Sequence, residues 1–141
     1  MCPLRTCVKN ACSLRVGLFS VTVRVTDSGG LTYDEAFTIN VNDLNETPGD
    51  LALAGNTVDE NSADGTSVGT VSASDPDDGE TFTYSLFDNA GGRFAINAAT
   101  GEITVADVSQ LDFETTTSFT LNVQVTDTGG LSDTATITIG L

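Results

Sequence analysis

Two stretches of this sequence match each other without a gap at an offset of 100 residues. Residues 19–31 and 119–131 both begin with Phe, continue through Val-x-Val-Thr-Asp and end in Gly-Gly-Leu, and the match resumes at residues 37–41 and 137–141. Solenoid repeats are much shorter, roughly 20–50 residues, so this period indicates whole domains in tandem. We expect the second copy to close a complete domain and the first to be only the last two strands of a preceding one.

Alternating apolar and polar residues predict β-strands. Phe119, Leu121, Val123 and Val125 show the period of two that is typical of a half-buried strand. Val108–Leu111 is expected to form a single helical turn. Seven short strands with turn signals between them predict an all-β sandwich, preceded by an orphan β-hairpin over residues 18–42. The other six predicted strands lie at Leu51–Val58, Val68–Ala73 (with a bulge), Phe82–Leu86, Phe94–Ile96, Ile103–Val105 and Ile137–Leu141.

The charge of the chain is strongly negative and unevenly placed. Five Lys and Arg face twenty Asp and Glu, for a net charge of −15, and there is no His. Three of the five bases precede residue 18, where there are no acids. The acidic body repels phosphate backbones and anionic membranes, so nucleic acid is not an expected partner.

No apolar run approaches the ~18 residues of a membrane span, and residues 1–17 resemble a signal peptide poorly. The chain is therefore expected to lack its own signal or membrane anchor.

All three cysteines, Cys2, Cys7 and Cys12, lie in the opening twelve residues. An odd number prevents complete pairing within one chain, although one disulfide with a free thiol remains open. A zinc site is disfavoured because the chain has no His and no fourth thiolate. We expect residues 1–17 to be non-native or disordered.

Three acidic clusters are candidates for chemistry: Asp75-Pro-Asp77-Asp78, Asp112-Phe-Glu114, and Asp127 followed by Thr-Gly-Gly. In extended backbone, residues i and i+2 point the same way about 6.6 Å apart, so each of the first two clusters could aim two carboxylates at one point. Oxygen donors without His or Cys suit Ca²⁺ best. Ordinary turn chemistry, a solvated acidic face and a carboxylate pair for sugar hydrolysis remain alternatives. No nucleophile–base pair or phosphate loop is present, so enzyme activity is not expected.

The order and spacing of these motifs over residues 51–141 resemble the cadherin repeat. The residues that carry the resemblance are Val58-Asp-Glu60-Asn61, Asp75-x-Asp77, Gly92-Arg-Phe94-x-Ile96, Thr100-Gly101-x-Ile103, Leu111-Asp112-Phe-Glu114 and Asp127-x-Gly129. Asp43-Leu-Asn45-Glu46-Thr-Pro48 is similar to the interdomain linker in its shorter bacterial form. Thr-rich strands without Cys also favour the bacterial branch of the family.

The resemblance implies a seven-stranded Greek-key, immunoglobulin-like β-sandwich at residues 51–141, after a truncated repeat at 18–42 and a linker at 43–50. It also implies calcium sites between successive domains. One half-site, at the upstream junction, would comprise Asp43, Asn45, Glu46, Asp75, Asp77 and Asp127. A second, at the downstream junction, would comprise Glu60, Asp112 and Glu114. Asp27 would have served a site further upstream.

The function implied by the resemblance is a calcium-dependent structural and adhesive module, in which Ca²⁺ stiffens the interdomain junctions. The parent would be a large secreted or membrane-associated protein outside the cell, for example a bacterial adhesin with homophilic adhesion. Expected partners are neighbouring cadherin-like repeats, with other adhesin molecules, a host surface or matrix polysaccharide as further candidates. Alternatives are a carbohydrate-binding sandwich, for which Phe87 and Phe113 are candidate rings although packing is expected for both, and an accessory module of a larger extracellular enzyme. The hairpin at 18–41 is expected to be poorly ordered or to dimerise the chain.

Overall fold

The computed structural model describes Cys7–Val8, Ala11–Cys12 and residues 17–141. Cys7–Val8 (β1) and Ala11–Cys12 (β2) pair with each other in antiparallel fashion. The expectation that residues 1–17 are foreign to the fold falls almost entirely outside the described residues. The chain divides into two compact units, residues 1–44 and 45–141.

The first unit contains a long antiparallel hairpin of two ten-residue strands, β3 (Gly17–Thr26) and β4 (Thr32–Val41). Its turn is built on Asp27, whose carboxylate Oδ1 accepts hydrogen bonds from the backbone N–H groups of Gly29 (2.8 Å) and Leu31 (2.9 Å). Gly30 has φ +85°, a conformation that glycine adopts without strain. The sequence prediction of a hairpin here is confirmed.

The second unit is a sandwich of two antiparallel sheets with seven strands, which confirms the predicted fold class. The strands are β5 (Gly49–Ala54), β6 (Ser67–Ser74), β7 (Thr83–Asp88), β8 (Phe94–Ile96), β9 (Glu102–Val105), β10 (Ser118–Thr126) and β11 (Ser132–Gly140). One sheet has the order β5-β6-β9-β8 and the other has the order β7-β10-β11. A 3₁₀ turn at Val108–Gln110 precedes β10, as predicted.

The core lies between the two sheets and is supplied by alternate residues of the strands. Leu121, Val123 and Val125 of β10 are fully buried, whereas Thr120 and Asn122 between them are exposed. This is the pattern expected of a sheet with one face in the core. The buried apolar residues are Val58, Val68, Val71, Tyr84, Phe94, Ile103, Val105, Leu111, Leu121, Val123, Val125 and Ile139.

The first strand of the sandwich differs from the prediction, which was wrong in giving one continuous strand over Leu51–Val58. Strand β5 ends at Ala54, and Gly55 turns the chain with φ +86°. The chain then pairs in parallel with the end of β11: Val58 N donates to Gly140 O at 3.0 Å, and Gly140 N donates to Asn56 O at 2.8 Å. This segment therefore crosses from one sheet to the other and joins their edges.

The bulge expected in β6 is present. The register with β9 shifts between Ser67 and Gly69, and Gly69 lies directly against the backbone of Ala54 and Gly55. A side chain at residue 69 would collide with those carbonyl groups, so glycine is required there.

The two copies of the internal repeat fold into the same hairpin. Phe19 pairs with Ile39 as Phe119 pairs with Ile139, and the register agrees at every pair from Leu18 to Thr26 and from Ser118 to Thr126. Leu131 N donates to Asp127 Oδ1 at 2.8 Å, the counterpart of the bond from Leu31 to Asp27. The sequence match therefore corresponds to a structural repeat.

Candidate metal sites at the two ends of the sandwich

The first candidate site brings together residues from three segments of the second unit: the stretch before β5, the loop after β6 and the β10–β11 turn. Asp77 N donates to Asp75 Oδ1 at 2.9 Å, and Glu46 N donates to Asp77 Oδ2 at 2.9 Å. A carboxylate oxygen of Glu46 lies within 4.8 Å of one of Asp77. Asn45 Nδ2 donates to Asp127 Oδ2 at 2.8 Å. These five residues, Asn45, Glu46, Asp75, Asp77 and Asp127, are called the upstream cluster below.

Asp127 is the buried carboxylate of the upstream cluster, with 6% of its surface exposed. Burial acts to raise its pKa, but hydrogen bonds from Asn45 and from the backbone N–H groups of residues 129–131 outweigh burial and lower the pKa below the ordinary value of an aspartate. The carboxylate is therefore held in its charged form, which is the form that can bind a cation.

Asp75 contributes an oxygen that is buried without a partner. Its Oδ1 accepts the hydrogen bond from Asp77, whereas Oδ2 is enclosed and has no hydrogen-bond partner among the described residues. Burying a carboxylate oxygen without a donor or a cation is unfavourable, so this atom marks a place where a ligand is expected.

Two other residues predicted for calcium binding lie in the first unit. Asp43 follows β4 and is exposed, and Asp27 forms the β3–β4 turn. The assignment of Asp43 to the upstream half-site stays a prediction.

The second candidate site, called the downstream cluster below, comprises Glu60, Asp112 and Glu114. One carboxylate oxygen from each lies within 4.8 Å of those of the other two. Phe113 N donates to Glu60 Oε2 at 2.8 Å, which ties the loop before β10 to the segment after β5. A hydrogen bond from the Thr115 hydroxyl to Asp112 Oδ2, at 2.7 Å, lowers the pKa of the Asp112 carboxyl. All three residues predicted for the downstream half-site are thus neighbours.

The local geometry of both clusters differs from the extended backbone that was assumed from the sequence. Residues 76–79 form a bend and turn, and residues 113–115 form a turn. The carboxylates converge because each loop folds back on itself and is held by hydrogen bonds to side-chain oxygens, as in the bond from Asp77 N to Asp75.

Two residues that shape the upstream cluster were not recognised as doing so from the sequence. Glu80 Oε2 accepts hydrogen bonds from the backbone N–H (3.1 Å) and the hydroxyl of Thr128, which fixes the β10–β11 turn. Gly129 leaves room for Asn45, whose side chain occupies the space that a Cβ at residue 129 would need. The acidic run from Asp75 to Glu80 was a signal for Glu80, but its partner in the turn was not visible from the sequence.

The two clusters lie at opposite ends of strand β10. The downstream residues Asp112 and Glu114 precede the strand and Asp127 follows it, with the nine residues Ser118–Thr126 between them. At about 3.4 Å per residue, the strand separates the clusters by roughly 30 Å. The side-chain atoms of the two clusters that could bind a metal are the carboxylate oxygens and the amide oxygen of Asn45. Oxygen ligands of this kind fit a hard cation such as Ca²⁺.

Two aromatic residues, Phe87 and Phe113, were expected to pack in the core or in loops. Their exposed fractions are 68% and 47%, so that expectation was wrong. Among the residues that the structure describes, no helix has the length and apolar character that a membrane span requires.

Comparison with known proteins gives a consistent result. The family model for the cadherin domain matches residues 56–141. The Drosophila melanogaster protocadherin-like wing polarity protein stan is 40% identical over 85 residues, which cover 60% of this chain and 2% of that protein. Cadherin-17 of Rattus norvegicus is 40% identical over 98 residues, which cover 69% of this chain and 12% of that protein. The chain thus spans a small part of the length of these relatives.

The solved structures give the same fold. The extracellular cadherin domains 1–4 of protocadherin gamma B7 superpose with a TM-score of 0.68 at 27% identity, and the superposition covers 89% of this chain and 31% of that chain. The relatives named above are animal proteins, so the bacterial origin stays a prediction. The matched family model covers the whole sandwich apart from its first strand, and the sandwich has the fold of these structures. The chain therefore belongs to the cadherin family.

Proposed function

We propose that this chain is a repeat of an extracellular adhesive array in which Ca²⁺ bound at the ends of each sandwich stiffens the junctions between domains. Residues 51–141 form the complete repeat in this proposal, residues 43–50 the linker, and residues 18–42 the end of a preceding repeat. The family is one of adhesion modules, so no catalytic role is proposed. Neighbouring cadherin-like repeats are the proposed partners.

The observation that carries the proposal is the buried Asp75 Oδ2, which has no partner among the described residues. Around it, the hydrogen bonds of the upstream cluster hold Asp77, Glu46, Asn45 and Asp127 in place. A carboxylate oxygen enclosed in this way is stabilised if a cation coordinates it. Turn geometry alone explains why the loop folds back, but it does not explain why this oxygen is enclosed.

The donor set favours calcium over the other common protein metals. Carboxylate and amide oxygens on loops offer the irregular, flexible coordination that Ca²⁺ accepts, whereas Mg²⁺ demands near-octahedral geometry. Zinc prefers nitrogen and sulfur ligands, which neither cluster contains. Bound calcium would supply positive charge that neutralises the clustered carboxylates and would bridge ligands from two domains.

The downstream cluster supports the junction part of the proposal. Asp112 and Glu114 are exposed and Glu60 is partly exposed, so their carboxylates face solvent on one side and could share a cation with another segment. A linker of the kind found at residues 43–46 would supply the remaining oxygens. Extracellular calcium modules bind with dissociation constants of about 10⁻⁴–10⁻³ M, and a half-site is expected at the weak end of that range.

The test compares thermal melts of this chain with those of a tandem chain in which residues 43–141 are repeated after Leu141. Each is measured in chelator, in millimolar Ca²⁺ and in millimolar Mg²⁺. Asp75→Asn removes charge from the enclosed carboxylate, and Asp59→Asn is the matched control, since Asp59 is exposed and its side chain has no hydrogen bond among those described.

The expected result is a calcium-specific rise in melting temperature that is clearly larger in the tandem chain. Free calcium at tenfold its dissociation constant adds about 1.4 kcal/mol per site to the free energy of unfolding. Asp75→Asn should remove much of the rise and Asp59→Asn should leave it unchanged. No calcium-specific rise in either chain would contradict the role of calcium and leave the acids as surface charge.

A further inference from the structure

The sandwich contains two Asp-Gly peptides, Asp64–Gly65 between β5 and β6 and Asp78–Gly79 between β6 and β7. Such a peptide can rearrange without an enzyme, because glycine has no side chain that keeps its backbone nitrogen away from the aspartate carboxyl group. The nitrogen attacks the side-chain carbon Cγ, and a hydroxyl of the carboxylic acid leaves with the amide proton as water. The product is a five-membered succinimide ring.

Water reopens the succinimide ring at either of its two carbonyl groups. One opening restores aspartate, and the other gives isoaspartate, in which the main chain runs through the former side chain. The water taken up equals the water released, so the net reaction is an isomerisation that needs no oxidant, reductant or other co-reactant. It adds one atom to the main chain between the two residues.

The two Asp-Gly peptides are closely matched in exposure and in backbone conformation. Asp64 and Asp78 are both exposed, and so are the glycines that follow them. Gly65 has φ +85° and Gly79 has φ +86°. Neither exposure nor the conformation of the glycine therefore distinguishes them, and from the sequence alone both are expected to react equally.

Hydrogen bonds hold both reacting groups at Asp64–Gly65. Gly65 N donates to Val105 O at 2.8 Å, which directs the nitrogen at β9 and away from the carboxyl group. Asp64 Oδ1 accepts a hydrogen bond from Val108 N at 2.7 Å, which holds the carboxylate against the 3₁₀ turn. Both bonds must break before the ring can form, so the fold slows the reaction at this peptide.

The reacting groups at Asp78–Gly79 have no such restraint. In the part of the chain that the structure describes, no hydrogen bond involves the Asp78 carboxylate or the Gly79 N–H. We propose that Asp78 is a site of spontaneous isomerisation to isoaspartate, and that the fold protects Asp64 from the same reaction. This inference is independent of calcium and goes beyond the proposed function.

The reactive peptide lies between two residues that are tied to other segments. On one side, Asp77 Oδ2 accepts a hydrogen bond from Glu46 N at 2.9 Å, and on the other, Glu80 Oε2 accepts one from Thr128 N at 3.1 Å. Isoaspartate adds a main-chain atom between these two anchors, and hydrogen bonds weaken when their distance and angle change. We therefore expect isomerisation to weaken at least one of them and to lower the melting temperature in chelator.

The experiment is peptide mapping of the full chain after prolonged incubation in chelator, at neutral pH and physiological temperature. Electron-transfer fragmentation distinguishes isoaspartate from aspartate at each position. We expect at least about tenfold more isoaspartate at Asp78 than at Asp64, because two hydrogen bonds must first break at Asp64. The chain incubated in urea is the control, and there the two positions should agree within about threefold because the hydrogen bonds are lost.

Two variants test the chemistry at Asp78 and its consequence. Asp78→Glu keeps the charge but would have to form a six-membered ring, so it should suppress isomerisation at this position. Asp78→Asn releases ammonia in place of water and should form isoaspartate at least about tenfold faster. After equal incubation, the melting temperature of the wild-type chain should fall relative to its fresh sample, whereas that of Asp78→Glu should not.

Equal amounts of isoaspartate at Asp64 and Asp78 in the folded chain would overturn the proposal, because the hydrogen bonds at Asp64 would then give no protection. So would isoaspartate at both positions in urea but none at Asp78 in the folded chain, because the β6–β7 connection would then protect Asp78 as well. An isomerised chain that melts like the fresh one would contradict the role of the two anchors.

Discussion

At the scale of single residues, the upstream cluster depends on the absence of a side chain at Gly129. Asn45 reaches Asp127 only because Gly129 has no side chain in its path. We therefore predict that Gly129→Ala displaces the Asn45 side chain and breaks its hydrogen bond to Asp127. The expected cost is about 1 kcal/mol in the free energy of unfolding, since one charge-assisted hydrogen bond is lost and the displaced side chain is flexible. Urea unfolding measured in chelator checks the value.

The matched control for this prediction is Asn45→Ala, which removes the same hydrogen bond from the other side. If the mechanism is correct, the double variant loses little more than either single variant, because both changes act on one interaction. Additive losses would show that Gly129 is required for a different reason, such as the backbone of the turn.

The sequence allowed the acidic residues to be grouped correctly, but it did not reveal the loop conformations that bring them together. Glu60, Asp112 and Glu114 were grouped by resemblance, and the structure brings their oxygens together. The contact from Glu80 to Thr128 was not predicted, since it joins two loops that are 48 residues apart. The exposure of Phe87 was also misjudged, because an aromatic residue in a strand does not reveal which face it occupies.

At the scale of secondary structure elements, the two equivalent hairpins allow a comparison of a buried and an exposed valine at the same register position. The quantity compared is the change in the free energy of unfolding when each valine is replaced. Val123→Ala in β10 removes fully buried methyl groups and should lower the free energy of unfolding of the sandwich by about 2 kcal/mol. Val23→Ala in β3 is the matched control and should change it by less than about 0.5 kcal/mol. Denaturant unfolding at a concentration where the chain is monomeric gives both values. Similar losses in both variants would mean that the apolar face of the first hairpin is buried within the monomer.

The strands could be predicted from the sequence wherever apolar and polar residues alternate strictly. Strand β10 is the clearest case, and the bulge in β6 followed from its irregular spacing. The crossing of the first strand between sheets could not be predicted in this way. The apolar residues stop at Ala54 and resume at Val58, with Gly-Asn-Thr between them. The change of partner strand shows in the positive φ of Gly55 and in the backbone hydrogen bonds between Gly140 and residues 56 and 58.

At the scale of the whole molecule, the net charge of −15 implies that stability depends on ionic strength even without calcium. Salt screens the repulsion among the carboxylates more than the few attractions, because acids outnumber bases 20 to 5. We predict that the melting temperature in chelator rises as NaCl increases to about 0.5 M. Choline chloride at equal ionic strength is the control, since it screens charge but its cation is too large for the clusters. A melting temperature that stays flat or falls would contradict the prediction.

The length of β10 has a consequence for an array of many such repeats. The roughly 30 Å between the clusters is about three times the Debye length at 0.1 M salt, so a charge gained at one end is hardly felt at the other. Successive junctions would then fill independently, and their occupancy would follow the local cation concentration one by one. The stiffness of such an array would therefore increase gradually as the cation concentration rises, one junction at a time, instead of changing in a single cooperative step.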